Sequence, residues 1–88
     1  MRIVLSPRSE KELKKIRKIN QIAVIKKLRS LRNSYRETKK EKLSGYSDIF
    51  RIRVGQYRIV YRQKKGEIHI VLIAHRKDIY QLLQRFIG

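Results

Sequence analysis

The sequence of 88 residues has no cysteine, two histidines, one proline and only seven acidic residues. The lack of cysteine excludes disulfide bonds and thiolate-bound metals. With two histidines and scattered carboxylates, neither a structural zinc nor any other cofactor is expected. Long apolar runs are missing too: no stretch approaches the roughly 20 residues that cross a bilayer, and the apolar part of the N-terminal segment is too short for a secretory signal. We therefore expect a cytoplasmic protein without a membrane partner.

The most prominent feature of the composition is its excess of positive charge. The 24 Lys and Arg residues give the chain a formal net charge of +17. They are spread along the sequence, and a chain of this length fills a single core, so we predict one domain over 1–88. Self-repulsion at this charge destabilises the compact state, and a polyanion relieves it. RNA or DNA is the first candidate, through neutralisation of its phosphates, and an acidic protein is the second. The alternative is that many of these residues simply form the solvated faces of helices.

The N-terminal segment predicts a strand followed by a helix. Arg2–Leu5 is rich in β-prone residues, and Pro7 ends the strand because it has no backbone donor. Ser9 and Glu12 fit a capping box, in which Ser9 would be the N-cap of the helix.

Helical sequence then follows to about residue 35, and within it apolar residues recur at every third position from Leu13 to Leu31. An α-helix has 3.6 residues per turn, so a three-residue repeat would circle one straight helix instead of marking a single face. We therefore predict an αα-hairpin with a break at 18–21, near Asn20. The repeat consists of Leu13, Ile16, Ile19, Ile22, Ile25, Leu28 and Leu31.

The second half alternates as antiparallel strands do. The predicted strands are 50–54, 57–62 and 67–74, joined by a two-residue turn at 55–56 and a four-residue loop at 63–66.

Two further segments flank these strands. Residues 37–47 are polar and predict a loop, attached to the body by Leu43 and Tyr46. Residues 79–86 predict a short C-terminal helix, with Asp78 as its N-cap.

The two-residue turn fixes the pairing of the first two of these strands. It places Arg53 directly across from Arg58, where like charges are destabilising. The four-residue loop would pair Tyr61 with Ile68 and put Ile73 on the same face as the arginines. That face carries Arg51, Arg53, Arg58 and Arg62, and the opposite face is apolar.

Converging guanidinium groups are suited to phosphate because they stay charged and bind oxygen pairs in bidentate fashion. The alternative is the ordinary solvated face of a half-buried sheet. The segment after the last strand favours the first interpretation, since it adds His75, Arg76, Lys77 and Tyr80 at the edge of the arginine face. The combination predicts a phosphoryl-transfer site that works without a metal.

Three segments carry a family resemblance: KLSG at 42–45, IFRIRVGQYRIVY at 49–61 and HRKDIY at 75–80. In this order and spacing they resemble the RelE/ParE toxin superfamily of toxin–antitoxin modules. The resemblance covers nearly the whole chain. It implies an α+β fold of the order β-α-α-β-β-β-α, with two N-terminal helices packed on an antiparallel sheet of about four strands and a short C-terminal helix.

Within the superfamily the RelE branch is the better match. RelE-like toxins are endoribonucleases that cleave mRNA in the ribosomal A site without metal, by attack of the 2′-OH on the adjacent phosphate. By position, Arg58 and Arg76 match the arginines that contact the scissile phosphate, and Tyr80 matches the catalytic tyrosine. His75 lies where the family varies. Flanking phosphates would be bound by Arg51, Arg53, Arg62 and Lys77.

One departure affects the acid–base assignment. RelE has lysines where this chain has Arg51 and Arg53, and arginine does not give up its proton. The general base would then be Tyr80 or His75, and the positive potential of the arginines is expected to favour the tyrosinate form of Tyr80.

Partners and alternatives follow from the same resemblance. It implies an acidic RelB-like antitoxin that wraps the helices or displaces the C-terminal helix, with mRNA and the ribosome as targets and DNA reached only through the antitoxin complex. One alternative is a ParE-like inhibitor of DNA gyrase with the same fold and no catalytic cluster. Another is a basic nucleic-acid-binding domain with no toxicity.

Overall fold

The computed structural model describes residues 1–87, which form three helices and one five-stranded sheet. The sheet order is β1-β5-β4-β3-β2, and every neighbouring pair is antiparallel except β1 with β5, which is parallel. The predicted α+β fold is confirmed, with one strand more than expected. The elements are β1 (Arg2–Leu5), α1 (Pro7–Lys15), α2 (Lys18–Asn33), β2 (Glu41–Lys42), β3 (Ile49–Val54), β4 (Tyr57–Lys64), β5 (Glu67–His75) and α3 (Ile79–Phe86).

The first helix begins earlier than the sequence predicts. Its N-cap is Ser6, whose hydroxyl oxygen accepts a hydrogen bond from the backbone N–H of Ser9 at 3.1 Å. Pro7 follows at the first helical position, where its missing donor costs nothing. The predicted capping box of Ser9 and Glu12 is therefore wrong: Ser9 is fully buried, with its hydroxyl 3.1 Å from the carbonyl oxygen of Ile70.

The αα-hairpin is confirmed, but its break lies two residues before the predicted segment. Ile16 is extended, with φ −74° and ψ 158°, and α2 starts at Lys18. Burial is also more selective than the three-residue repeat suggests. The buried residues of α2 are spaced by four and three, as one helix face requires, whereas Ile19 and Ile22 are 73% and 54% exposed. The buried residues are Val24, Leu28 and Leu31.

The sheet separates two hydrophobic cores. On one face, α1 and α2 cover residues that include Ile52, Ile59 and Tyr61. On the other face, α3 covers a smaller cluster through Ile79 and Leu83. The bounds predicted for α3 are confirmed. Asp78 precedes the helix as predicted, but its side chain makes no capping hydrogen bond. None of the described helices is long and apolar enough to cross a membrane.

The pairing of β3 with β4 is confirmed residue by residue, including Arg53 opposite Arg58. Gly55 in the connecting turn has φ +58°, a conformation that glycine adopts without strain.

The pairing of β4 with β5 differs from the prediction. The strands continue to a two-residue turn that contains Gly66 at φ +69°, so Tyr61 pairs with Ile70 and not with Ile68. A bulge follows, because Val71 has no partner in the ladder between Ile70 and Leu72. An extra residue in one strand places every later side chain of that strand on the opposite face of the sheet from the one expected without it. The predicted position of Ile73 on the arginine face is therefore wrong: Ile73 belongs to the core under α1 and α2, and Leu72 to the core under α3.

The segment 37–47 is a loop interrupted by the short edge strand β2, which the sequence analysis missed. Glu41 pairs with Arg51 in this strand. Leu43 and Tyr46 pack against the core under α3, as predicted for this segment.

Candidate active site

Four arginines from three parts of the sheet converge beside the first turn of α3. Two come from β3, one from β4 and one from the turn after β5, and together with Tyr80 they border a cleft of about 290 Å³. The lining residues are Arg51, Arg53, Arg58, Arg76, Lys77, Ile79 and Tyr80.

Arg58 lies among the other three arginines. Its Nη1 donates to the carbonyl oxygens of Gly55 and Tyr57, each at 2.9 Å, which holds the side chain along the hairpin. Burial lowers the pKa of Arg58, and the positive charges of Arg53, Arg51 and Arg76 lower it further. Arginine still keeps its proton at neutral pH, so the neighbouring positive charges favour the binding of an anion at this point.

Arg51 is the most enclosed member of the cluster, with a side chain only 10% exposed. Its Nη1 donates a hydrogen bond to the phenol oxygen of Tyr80, and its Nη2 donates to a carboxylate oxygen of Glu41 at 3.1 Å. Burial lowers the pKa of Arg51, but the hydrogen bonds and charges of Tyr80 and Glu41 outweigh it, and the net pKa is raised. Arg51 is thus a fixed positive charge against Tyr80.

Glu41 also contacts the second arginine of β3. Its other carboxylate oxygen lies 3.4 Å from Nε of Arg53. One carboxylate therefore bridges two arginines at the border of the cleft. The sequence analysis did not single out Glu41. Its position as an acidic residue between Lys40 and Lys42 was the available signal, but only the pairing of β2 with β3 shows which arginines it reaches.

The turn after β5 is tied to the β3–β4 hairpin. The backbone N–H of Arg76 donates to the carbonyl oxygen of Gln56 at 2.7 Å. This bond holds Arg76 at the same end of the sheet as Arg58. The turn is closed by a second backbone bond, from Asp78 N–H to the His75 carbonyl oxygen at 2.9 Å.

Two of the residues predicted for the site lie outside the cleft. His75 pairs with Tyr57 in the sheet, and their rings meet edge to face at 5.6 Å. Because Tyr57 packs against the core under α1 and α2, His75 lies on the sheet face away from the arginines. Arg62 is near the opposite end of β4, where it pairs with Asp48 at 3.3 Å.

The remaining six predicted residues are brought together, and their chemistry is suited to a phosphodiester. The guanidinium groups supply positive charge and paired donors. Tyr80 is 63% exposed, and its phenol oxygen accepts a hydrogen bond from the permanent cation of Arg51. The six are Arg51, Arg53, Arg58, Arg76, Lys77 and Tyr80.

Comparison with known proteins gives one family match and several structural matches. A family model described as the ParE toxin of the type II toxin–antitoxin system parDE matches residues 3–80. Among curated proteins, no significant match is found.

Three solved structures illustrate the structural similarity. A chain of the RelB–RelE antitoxin–toxin complex from Methanococcus jannaschii is 26% identical, with a TM-score of 0.77, and the match covers 90% of this chain and 96% of that chain. The YoeB dimer from Staphylococcus aureus is also 26% identical, with a TM-score of 0.65 and coverage of 81% and 91%. The isolated RelE toxin of Escherichia coli is 22% identical, with a TM-score of 0.73 and coverage of 99% and 98%, and supports the fold alone.

Proposed function

Since this chain belongs to the ParE toxin family of type II toxin–antitoxin systems, we propose that it is the ribonuclease toxin of its module, cleaving mRNA at the ribosomal A site in the cytoplasm. One observation carries this proposal. The cleft places four guanidinium groups around a space that also borders a phenol, so charge stabilisation and proton transfer can act on one phosphodiester.

Arg58 and Arg76 hold the scissile phosphate in this mechanism. The 2′-oxygen of the nucleotide attacks the adjacent phosphorus, and the transition state carries more negative charge than the ground state. Donors already aimed at that charge lower the barrier without reorganisation. The hydrogen bonds that fix Arg58 and the turn that carries Arg76 supply this preorganisation.

Tyr80 is the general base. In this mechanism the Tyr80 hydroxyl first gives its proton to solvent. The phenolate oxygen then takes the proton of the 2′-OH as the bond from the 2′-oxygen to phosphorus forms and the bond from phosphorus to the 5′-oxygen breaks. The leaving 5′-oxygen takes a proton from solvent, to which the cleft is open. The products are a 2′,3′-cyclic phosphate and a 5′-OH. Of the two bases that the sequence left open, His75 lies across the sheet, so Tyr80 is the better supported.

Arg51 and Arg53 bind phosphates next to the scissile one and keep the potential of the cleft positive. No carboxylate lines the cleft in the described part of the chain. The guanidinium groups therefore stabilise the negative charge of the transition state, as a divalent cation does in other nucleases. Their own positive charge opposes the binding of such a cation.

The cognate partner is an acidic RelB-like antitoxin. The chain carries a charge of +17, and its structural matches include a RelB–RelE antitoxin–toxin complex. An acidic chain that folds on binding suits such a surface. Co-expression with the product of the neighbouring gene should raise the soluble yield sharply, and indifference to it would oppose this assignment.

The decisive experiment exposes translating ribosomes and free mRNA to the purified full-length protein and maps the ends of the fragments. We expect cleavage on ribosomes that leaves 5′-OH ends, which polynucleotide kinase labels without prior phosphatase treatment. Fragments with 5′-phosphates would contradict the mechanism. Intact mRNA together with inhibited DNA supercoiling would support the gyrase-inhibitor alternative, which the Tyr80 cluster disfavours because such an inhibitor needs no general base.

A further inference from the structure

A second basic pocket lies next to the cleft, at the edge of the sheet where α2 and the following loop meet β2 and β3. It encloses about 180 Å³. The pocket shares Arg51 and Arg53 with the cleft and adds lysines from two other elements. Its lining consists of Lys27, Lys39, Lys40, Glu41, Arg51 and Arg53.

Two of the three lysines have ammonium groups available to a ligand. Lys40 is committed to the fold, because its Nζ donates to the carbonyl oxygens of Tyr35 at 2.6 Å and Thr38 at 2.8 Å. In the described residues, neither Lys27 nor Lys39 takes part in an ion pair.

Glu41 is the only acidic residue in the lining of this pocket. It places its two carboxylate oxygens 3.1 and 3.4 Å from the nearest nitrogens of Arg51 and Arg53. A carboxylate in bidentate contact with guanidinium groups resembles a phosphate that presents two oxygens. The Glu41 carboxylate thus occupies a position in which a phosphate from outside the chain can make the same contacts with Arg51 and Arg53.

We propose that this edge pocket binds a backbone phosphate of the RNA adjacent to the scissile one, with Lys27, Lys39 and Arg53 as its ligands and Glu41 displaced from the guanidinium groups. The inference rests on the proposed ribonuclease function and extends it. The arginines shared by the two pockets make them continuous, so a single strand passes from the cleft over the edge of the sheet towards α2. This continuity favours RNA over an acidic protein segment as the occupant.

The test compares 2′-O-methyl oligonucleotides, which cannot be cleaved because the attacking hydroxyl is blocked. A hexanucleotide reaches both pockets, whereas a dinucleotide has a single phosphate and fills the cleft alone. The double variant Lys27→Ala/Lys39→Ala should bind the hexanucleotide about tenfold more weakly by fluorescence anisotropy. For this variant, the slope of the logarithm of the binding constant against the logarithm of the salt concentration should be shallower by about 0.7 for each phosphate contact that is lost. Binding of the dinucleotide, followed by NMR titration, should be unchanged.

A matched control removes the same charge elsewhere. The control is the double variant Lys64→Ala/Lys65→Ala. These two lysines lie at the β4–β5 turn, at the end of β4 away from Arg58. Their removal should change hexanucleotide affinity less than twofold. Equal losses in both double variants would show a general charge effect and overturn the edge pocket. Unchanged hexanucleotide affinity in Lys27→Ala/Lys39→Ala would also overturn it. Because these oligonucleotides are never cleaved, failure of the edge pocket is distinguishable from failure of the nuclease proposal, which depends on the fragment ends described above.

Discussion

Arg51 in the middle of β3 donates a hydrogen bond to the phenol oxygen of Tyr80 in the first turn of α3. The contact joins a largely enclosed cation on the sheet to an exposed phenol on a helix. Because arginine is the donor, the hydroxyl of Tyr80 remains free to donate its own hydrogen bond to another acceptor.

Tyr80→Phe removes the hydroxyl and leaves the ring. We expect cleavage on ribosomes to fall about 100- to 10,000-fold, the range typical of a lost general base. The fold should persist because the side chain is largely exposed. The comparison variant is His75→Ala, which removes the other base considered from sequence together with the Nδ1 acceptor of the Lys77 backbone N–H. It should lower cleavage much less than Tyr80→Phe, since a side chain outside the cleft lacks hydrogen-bond reach to the substrate. A larger effect of the histidine change would reassign the base.

Arg58→Ala removes the guanidinium at the centre of the cluster. Loss of a preorganised donor to the transition state should lower the cleavage rate by about 100- to 1,000-fold and abolish growth arrest on induction. Arg62→Ala is the matched control, because Arg62 lies on the same face of the same strand but pairs with Asp48 outside the cleft. If both variants remained equally toxic, the cleft would not be the active site.

Glu41→Gln removes the carboxylate that bridges two arginines. RNA should then bind about fivefold more tightly, because one unit charge about 4 Å away contributes about 1 kcal/mol in water. The measurement is anisotropy with an uncleavable oligonucleotide. Glu10→Gln removes the same charge from an exposed pair with Lys14 on α1 and should change the affinity much less. Weaker binding in Glu41→Gln would mean that the carboxylate positions the arginines more than it competes with phosphate.

Because of the buried phenol of Tyr61, we expect the free energy of unfolding to fall at alkaline pH. Burial raises the pKa of its phenol, and the hydrogen bond with Tyr35 at 3.0 Å raises it further. In the unfolded chain the phenol ionises near pH 10. Above that pH the unfolded state loses a proton that the folded state keeps, so the free energy of unfolding falls by about 1.4 kcal/mol per pH unit from this group alone.

Tyr61→Phe should remove that alkaline loss. Its free energy of unfolding at neutral pH should drop by about 1 kcal/mol because a buried hydrogen bond is lost, yet the gap from the parent protein should close above pH 10. Denaturant titrations at several pH values give the comparison. Tyr46→Phe, at a partly buried loop position, serves as control. A constant gap across the pH range would show that the Tyr61 phenol ionises equally in both states.

The local parts of the fold could be predicted from the sequence, and the non-local pairing could not. The β3–β4 register follows from a two-residue turn that contains Gly55, so Arg53 opposite Arg58 is encoded within six residues. The bulge at Val71 has no such signal. It arises where β5 meets both β4 and the parallel strand β1, and alternation of apolar residues in 67–74 fits either set of faces.

The residues of the candidate site also divide into those that local sequence predicts and those whose position depends on non-local strand pairing. Six of the predicted residues lie around one cleft, because the hairpin and the HRKDIY segment carry them. His75 was misplaced, since the bulge reverses the faces of β5 before the strand ends. Glu41 was missed, because a strand of two residues has no recognisable pattern and depends on its neighbour β3 for its existence.

The bond from Arg76 N–H to the Gln56 carbonyl oxygen at 2.7 Å has a mechanical consequence. It attaches the turn that carries Arg76 to the β3–β4 hairpin, whereas Tyr80 lies on an eight-residue helix that contacts the sheet chiefly through Ile79 and Leu83. Displacing that helix would separate substrate binding from catalysis. Under the proposed mechanism, the protein would still bind RNA but would not cleave it.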